Sequence, residues 1–363
     1  MIEQRFGARP PLWLGVEEEL MILDAESLDQ VGAVDRILAG LAGRDLPGEA
    51  KTELHASVFE LNTEPVPLAT DVLEALAGLR REAAEVAAGE GLAIAAAGTH
   101  PFARPELQPI VQEKRYLSMV ARAGASARRQ GVQGLHVHVS MASAEDCWRA
   151  LEAILPWLPV VLALSANSPW LAGEQTGLES NRALRLAELP RAGAPPAFET
   201  YSGWERWVER LVGIGVFEDA TRIWWDVRPA PHLGTLEVRV ADQPTDVRLS
   251  AALAALLQAL VRVVLEERGE AGGPEGRADY LQNRFAAARL GPRATLIHPR
   301  GDRTSSAAEL AAELLALVEP AARELGSAAL LAELDPERCE AELQARHPEP
   351  RDAAADLVER SLA

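Results

Sequence analysis

Four stretches of this chain set polar residues two apart among apolar ones, a pattern that confines them to strands with unlike faces. In LGVEEELMIL, Glu17 and Glu19 share one side while Glu18 lies opposite with Val16 and Leu20. In GLHVHVSM, His136 and His138 fall together against Leu135, Val137 and Val139. The stretch WWDVRPAPHLGTLEVRVAD reads as a hairpin, with Asp226 and Arg228 on one side of its first arm and Glu237 and Arg239 on one side of its second. Successive strand side chains point to opposite faces, so each pair is presented as a unit. A solvated sheet face accounts for any one pair taken alone. The mixture says more: brought to one face, the carboxylates and an imidazole make a set of hard ligands suited to Mg²⁺ or Mn²⁺. Arginines on the same face would then meet anionic oxygens.

The rest of the chain alternates helical and strand patterns. Residues 33 to 42, 69 to 90, 144 to 166 and 246 to 268 read as helices, the third interrupted by Pro156 and Pro159; RYLSMVARAGASARR reads as another. Residues 52 to 62 read as a strand, and AIAAAGTH as a buried strand opening into a loop. GEAGGPEG (269 to 276) reads as a flexible linker, and the chain from about residue 277 as a helical part of the same unit. Between SPWLAGEQTGLESNR and PRAGAPPAFETYSG, proline and glycine are too frequent for regular structure, and long ordered loops are usually functional. Half-polar strands favour antiparallel pairing, because parallel strands run apolar throughout. The expected fold is α+β, a single domain over 1–363 with one antiparallel sheet and helices on its outer face.

Lys and Arg number 36 against 54 Asp and Glu, a formal net charge of -18. That balance excludes nonspecific binding to nucleic acid or to an anionic membrane, both of which need a concentrated cationic surface. The two cysteines, Cys147 and Cys339, are far apart and form no CxxC, so neither a disulfide framework nor a structural zinc site is expected. The opening MIEQRFGARPPLW lacks the pattern of a secretory signal, and a cytoplasmic location is the expectation.

In KTELHASVFELNTEPV, Glu53 and Glu60 are seven apart, so an unbroken strand would send them to opposite faces; serving one site requires a bulge or break between them. Glu64, just before Pro65, reads as a turn residue. Neither GxxxxGK[ST] nor GxGxxG before a helix is present, so any ATP would be held by metals, arginines and irregular loops. HVH also fits the zinc pair of a metal-dependent hydrolase, although the other histidines show no metal spacing. Trp148, Trp157, Trp204 and Trp207 sit at helical spacings suited to a core, whereas Trp224 and Trp225 flank the sheet face as candidate walls of a ligand pocket.

Six stretches resemble the glutamate-cysteine ligase type 2 group of carboxylate-amine ligases, related in fold to glutamine synthetase: GVEEE (15–19), FELNTEP (59–65), GLHVHVS (134–140), ANSPWLAGEQTGLESNRALRLAELPRAGAPPAF (166–198), WWDVRPAPHLGTLEVRVADQPTD (224–246) and NRFAAARLG (283–291). They fall in order over nearly the whole chain. The resemblance implies a sheet curved into a funnel and ATP-dependent, ADP-forming amide synthesis, with the γ-carboxylate of glutamate phosphorylated and an amine, by default cysteine, attacking it. It implies Glu17, Glu19, Glu53, Glu60, His136 and Glu237 as ligands of Mg²⁺ or their close neighbours. It implies Arg182 and Arg239 at the transferring phosphoryl group, with His138, Trp225 and Arg228 at substrate or nucleotide. Glu18 has no such role and is expected to be paired on the opposite face. A homodimer is implied too. The remaining alternative to ligase and hydrolase is an inactive member that binds a ligand without turnover.

Overall fold

In the computed structural model, which describes residues 2–267 and 273–362, the alternating stretches all join one sheet. Its seven strands are β1 (Leu14–Asp24), β2 (Gly48–Thr52), β3 (Val58–Thr63), β4 (Leu92–Ala95), β5 (Leu135–Ser140), β6 (Val227–Ala230) and β7 (Thr235–Val238). Every pairing is antiparallel, in the order β6-β7-β5-β1-β3-β2. The eleven-residue β1 serves two neighbours along one edge, β5 beside its first half and β4 beside its second, with β3 along the other edge.

The even-numbered residues of β1 face the helices. Leu14 and Val16 join Leu135, Val137, Val139, Leu236 and Val238 beneath the helices Ala69–Gly89 and Val247–Glu267. Leu20 and Ile22 join Phe59, Leu61 and Ile94 in a second cluster. Apolar burial of this kind stabilises at about 25 cal/mol per Å². The helix Val247–Glu267 is long and apolar enough to cross a membrane, but 72% of its most apolar window is buried inside the protein, so it is a core helix.

Glu18 is the exception on this face. Its carboxylate receives Nε and Nη2 of Arg80, each at 2.7 Å, together with Gln243 Nε2 at 2.9 Å and Ser250 Oγ at 2.5 Å. Arg80 also donates to the carbonyls of Pro244, Thr245 and Ser361. Pair and carbonyls are fully satisfied, which is what a buried charge requires. Arg80→Met, which strands the Glu18 carboxylate, is expected to lower unfolding free energy by ~3 kcal/mol in urea titration; an unchanged midpoint would show that the pair contributes nothing.

The odd-numbered face is divided. At one end Met21 and Leu23 meet Ala95, Ala97 and Leu357 of the C-terminal helix Pro350–Arg360. At the other end lie Glu17 and Glu19.

Several expectations give way. The strand read at 52–62 is a hairpin: β2 ends at Thr52, and residues 53–57 reverse the chain so that Thr52 pairs with Phe59 and Lys51 with Glu60. The helix read through RYLSMVARAGASARR breaks at Gly124, whose φ of 57° no helix continues. The first arm of the late hairpin is interrupted at Asp226, because Trp224 and Trp225 pair in parallel with Ala192 and Gly193 instead. Of the linker read at 269–276, residues 269–272 lie outside the described residues, and Gly273–Gly276 already belong to the helix Gly273–Leu290. The helical C-terminal part also holds a small ladder, Thr295–Ile297 with Thr304–Ser306.

Candidate active site

Strand register assembles the polar pairs into three rows. Arg228 stands opposite Glu237, and Glu237 opposite His138. One step further, His136 stands opposite Glu17 and Glu17 opposite Asn62, while Glu19 stands opposite Glu60. Glu53 reaches the same face by a route other than a bulge. It lies in the reversal after β2, where its carboxylate comes within 4.8 Å of those of Glu19 and Glu60.

Three overlapping sets of potential ligands result: Glu17, His138 and Glu237; Glu17, Glu60 and His136; and Glu19, Glu53 and Glu60, with donor atoms within 4.8 Å of one another in each. Glu17 and Glu60 each belong to two of them. Among the described residues no set contains both histidines, so the HVH pair does not converge on one zinc-like centre. The sequence singled out His136 as a ligand and left His138 to substrate. In the structure His138 shares a set with Glu17 and Glu237, its Nδ1 lies 2.8 Å from Thr235 Oγ1, and its buried Nε2 has no hydrogen-bond partner. Nε2 is 3.3 Å from Glu17 Oε1, close enough for attraction but not aligned as a hydrogen bond. His136 instead lies 3.0 Å from Glu17 Oε2 through Nδ1, the atom that also faces Arg239 at 3.3 Å.

The electrostatics divide the carboxylates. Burial pushes Glu17 up, but His138 and His136 outweigh it and hold its carboxyl well below the usual range. Glu237 is likewise held low against burial by Arg228 and Arg239. Arg228 Nε and Nη2 reach Glu237 at 2.6 and 3.0 Å, and Arg239 donates to it as well. Glu19 is raised to about 8, by burial first and then by the charge of Glu53. Burial and the charges of Glu17, Glu53 and Glu19 push Glu60 well above its ordinary value. His136 is lowered to about 4 by burial and by Arg239, whereas at His138 the charges of Glu17 and Glu237 override burial and raise it. Carboxylates this close and this buried need protons or cations to coexist.

Arg182 completes the site from the long loop region. It is in the helix Asn181–Leu186 and donates Nη1 to the Val240 carbonyl at 3.2 Å and Nη2 to the Arg239 carbonyl at 3.0 Å. It is 2% exposed, no carboxylate among the described residues lies within ion-pair distance, and its Nε is without a partner. A buried guanidinium in that state is poised for an anion. Its place depends on Gly134, where an added Cβ would come within 2.0 Å of Nη2. The Gly134 amide meanwhile donates to Glu19 at 2.6 Å.

A cavity of about 470 Å³ opens beside Glu17 and His138, with Thr235 in its wall and Arg5, Arg9 and Lys51 at its rim. These cations carried no signal in the sequence, because Arg5 and Arg9 precede the first strand and β2, which carries Lys51, has no apolar alternation. Trp225 does not wall it. Its ring is buried in the helix-side core, stacked on Trp207 at 5.9 Å and tilted against Phe198, because the break at Asp226 turns the preceding pair away from the polar face. Arg228 is at the site, but its guanidinium is occupied by Glu237 and by the carbonyls of Thr221 and Ile223. Asp226, read as its neighbour on one face, instead binds Arg284 and Tyr280.

An antiparallel sheet packed against helices is the architecture of the glutamine synthetase-like and glutamate-cysteine ligase folds. Two solved structures share it: a bifunctional glutathione synthetase from Pasteurella multocida (TM-score 0.68, 15% identity) and a glutamate-cysteine ligase from Francisella tularensis in complex with AMP (TM-score 0.61, 13% identity). This chain is covered to 97% and 98%; it spans about half of the Pasteurella chain (52%) and 90% of the Francisella chain. The chain belongs to glutamate-cysteine ligase family 2, whose model matches residues 13–341. A relative from Rubrobacter xylanophilus, provisionally named glutamate-cysteine ligase 2-3, is 38% identical over 94% of this chain and 90% of its own length. One from Herpetosiphon aurantiacus, provisionally named glutamate-cysteine ligase 2, is 33% identical over 90% and 85%.

Proposed function

We propose that this protein is a carboxylate-amine ligase that uses ATP and Mg²⁺ or Mn²⁺ to phosphorylate a carboxylic acid, by family the γ-carboxylate of L-glutamate, and joins it to an amine, with cysteine the first candidate. The observation that carries this reading is the juxtaposition of three carboxylate-rich ligand sets with Arg182, a buried arginine with no carboxylate within ion-pair distance among the described residues. The donor set fits hard divalent cations: it is oxygen-rich, it is crowded beyond what like charges tolerate, and His138 Nε2 is buried with nothing to bond. Glu17, His138 and Glu237 would hold one cation and Glu19, Glu53 and Glu60 another. Bound there, they would neutralise phosphate oxygens during transfer.

The chain's own groups define the rest. A carboxylate oxygen attacks the γ-phosphorus, the bond to ADP breaks, and an acyl phosphate forms; the amine then attacks the carbonyl and phosphate leaves. Arg182 and Arg239 face the oxygens on which charge develops, and phosphoryl transfer draws more on such fixed charges than on proton transfer. The cavity beside Glu17 and His138 is lined by Arg5, Arg9 and Lys51 and by Glu49 and Glu64; a polyphosphate tail would enter it with its cations and draw Arg5 and Lys51 from their pairs with Glu3 and Glu49. ADP formation that requires acid, amine and divalent cation together tests the reading. ATP cleavage independent of both organic substrates, or the absence of any nucleotide binding, would refute it.

Cation binding should be coupled to protons. With Glu19 raised to about 8, its carboxyl holds a proton at neutral pH, and a cation bound beside it and Glu60, which is raised in the same direction, displaces that proton. Mn²⁺ titrated calorimetrically at pH 7 in two buffers of different ionisation enthalpy is expected to show proton release, with affinity rising as pH climbs through about 8. Equal heats in both buffers would contradict the protonated carboxyl.

A further inference from the structure

Behind Arg182 lies a fully buried carboxylate that no step above uses. Asp242 Oδ2 accepts the Asn167 amide at 2.9 Å and the Ser168 hydroxyl at 2.6 Å, and Oδ1 accepts the Ser180 hydroxyl at 2.7 Å. Each serine passes the contact on to the helix that carries Arg182. Ser168 Oγ accepts the Arg182 amide at 3.1 Å; Ser180 Oγ caps the helix by accepting the Ala183 amide at 3.2 Å. The Ser168 carbonyl accepts both the backbone and the side-chain amide of Asn181. The far end of Arg182 returns to the same segment, through the carbonyls of Arg239 and Val240.

Residues 239–242 therefore hold Arg182 at both ends. Asp242 is itself fixed: it pairs with Gly134 in an isolated antiparallel bridge, and Gly98 leaves room for it, since an added Cβ there would lie 2.8 Å from its carboxyl. No Lys, Arg or His among the described residues lies within ion-pair distance of Asp242. Its hydrogen bonds go to the two serines, which in turn hold the Arg182 helix, and to the Asn167 amide, while the charge of Arg182 favours its ionised form. A six-residue helix gains little stability from its own hydrogen bonds, so its position has to come from such outside contacts.

We propose that Asp242 is a positioning residue for Arg182, acting through Ser168 and Ser180. The inference rests on the ligase reading for its kinetic consequence but not for its structural one. Asp242→Asn keeps the shape, yet offers one acceptor oxygen where three donors converge on two. The expected results are a ~10²-fold loss of kcat, the scale of a misplaced catalytic group, with little change in the KM for ATP, and amide exchange faster by ~10-fold or more in residues 181–186 while the strand Leu135–Ser140 is unchanged. Ser180→Ala, which removes one contact and spares the carboxylate, should give the same local signature at smaller amplitude should Asp242→Asn fail to fold. A residue that acts only through Arg182 adds nothing once Arg182 is impaired, so Asp242→Asn placed in Arg182→Lys should cost no further rate. Additive losses, exchange unchanged at 181–186, or exchange quickened throughout the sheet would each overturn the proposal. If the wild-type protein turns over no substrate, the exchange experiment alone decides the role of Asp242, and it is the ligase reading that falls.

Discussion

Glu60→Gln is expected to lower kcat/KM by ~10³-fold or more, the scale of charge stabilisation that a bound cation supplies, while making the cation-free protein more stable at alkaline pH. Glu60 belongs to two of the three ligand sets, so its loss weakens both. Without cations the same carboxyl is a liability, because burial and its three carboxylate neighbours push it well above its ordinary value. The folded protein then binds more protons than the unfolded chain at every pH above the usual carboxylate value of 4.5, so stability falls as pH rises from there through the raised folded value. Glutamine mimics the protonated carboxyl at all pH values and removes that fall. Thermal midpoints in a chelator should coincide for the two proteins near pH 4 and separate in favour of the variant as pH increases. A variant that is inactive and also less stable at pH 9 would show that Glu60 is structural. Glu237 should behave in the opposite sense. Arg228 and Arg239 hold it low against burial, so its contribution is present above the ordinary carboxylate range and is lost as pH falls. Glu237→Gln strands two buried arginines and should destabilise.

Gly134→Ala is expected to cost ~10³-fold in kcat with the fold intact, comparable to deleting a preorganised transition-state contact. The added methyl would meet Nη2, Cζ and Nε of Arg182 at 2.0, 2.6 and 2.7 Å. Those atoms are the far end of a flexible side chain, so the guanidinium moves and the strand does not. Urea midpoint and far-UV spectrum should match the wild type, and combining the change with Arg182→Ala should cost little beyond Arg182→Ala alone. A fully active Gly134→Ala would mean that Arg182 can leave this position without consequence, and would remove it from the transfer step.

The period of two was legible wherever a strand was unbroken. It placed Glu17 with Glu19, His136 with His138, and Glu237 with Arg239 on one face, and sent Glu18 to the other, where Arg80 meets it. Register between strands is not written in the period, and so the division of labour between the two histidines could not be read. The hairpin Gly48–Thr63 was hidden because β2 is a short edge strand of half-exposed residues with no apolar alternation to mark it. Glu53 therefore looked out of parity with Glu60, although a reversal of the chain reconciles them. Trp225 was misplaced for a related reason: extrapolating one strand through Asp226 ignored a change of partner from Gly193 to β7. Asp242 and Gly134 lie inside stretches that carried the family resemblance, but the role of each is a contact with a residue more than 45 positions away, which spacing along the chain cannot show.

In the proposed reaction a carboxylate is activated by direct phosphoryl transfer on this face of the sheet. That step is tested most directly by supplying L-glutamate labelled with oxygen-18 in its γ-carboxylate, together with ATP, Mg²⁺ and the amine that best supports ADP formation, and analysing the released phosphate. One labelled oxygen should appear in phosphate for each amide formed. Unlabelled phosphate accompanying amide formation would show that the carboxylate never attacks the γ-phosphorus and that no acyl phosphate forms.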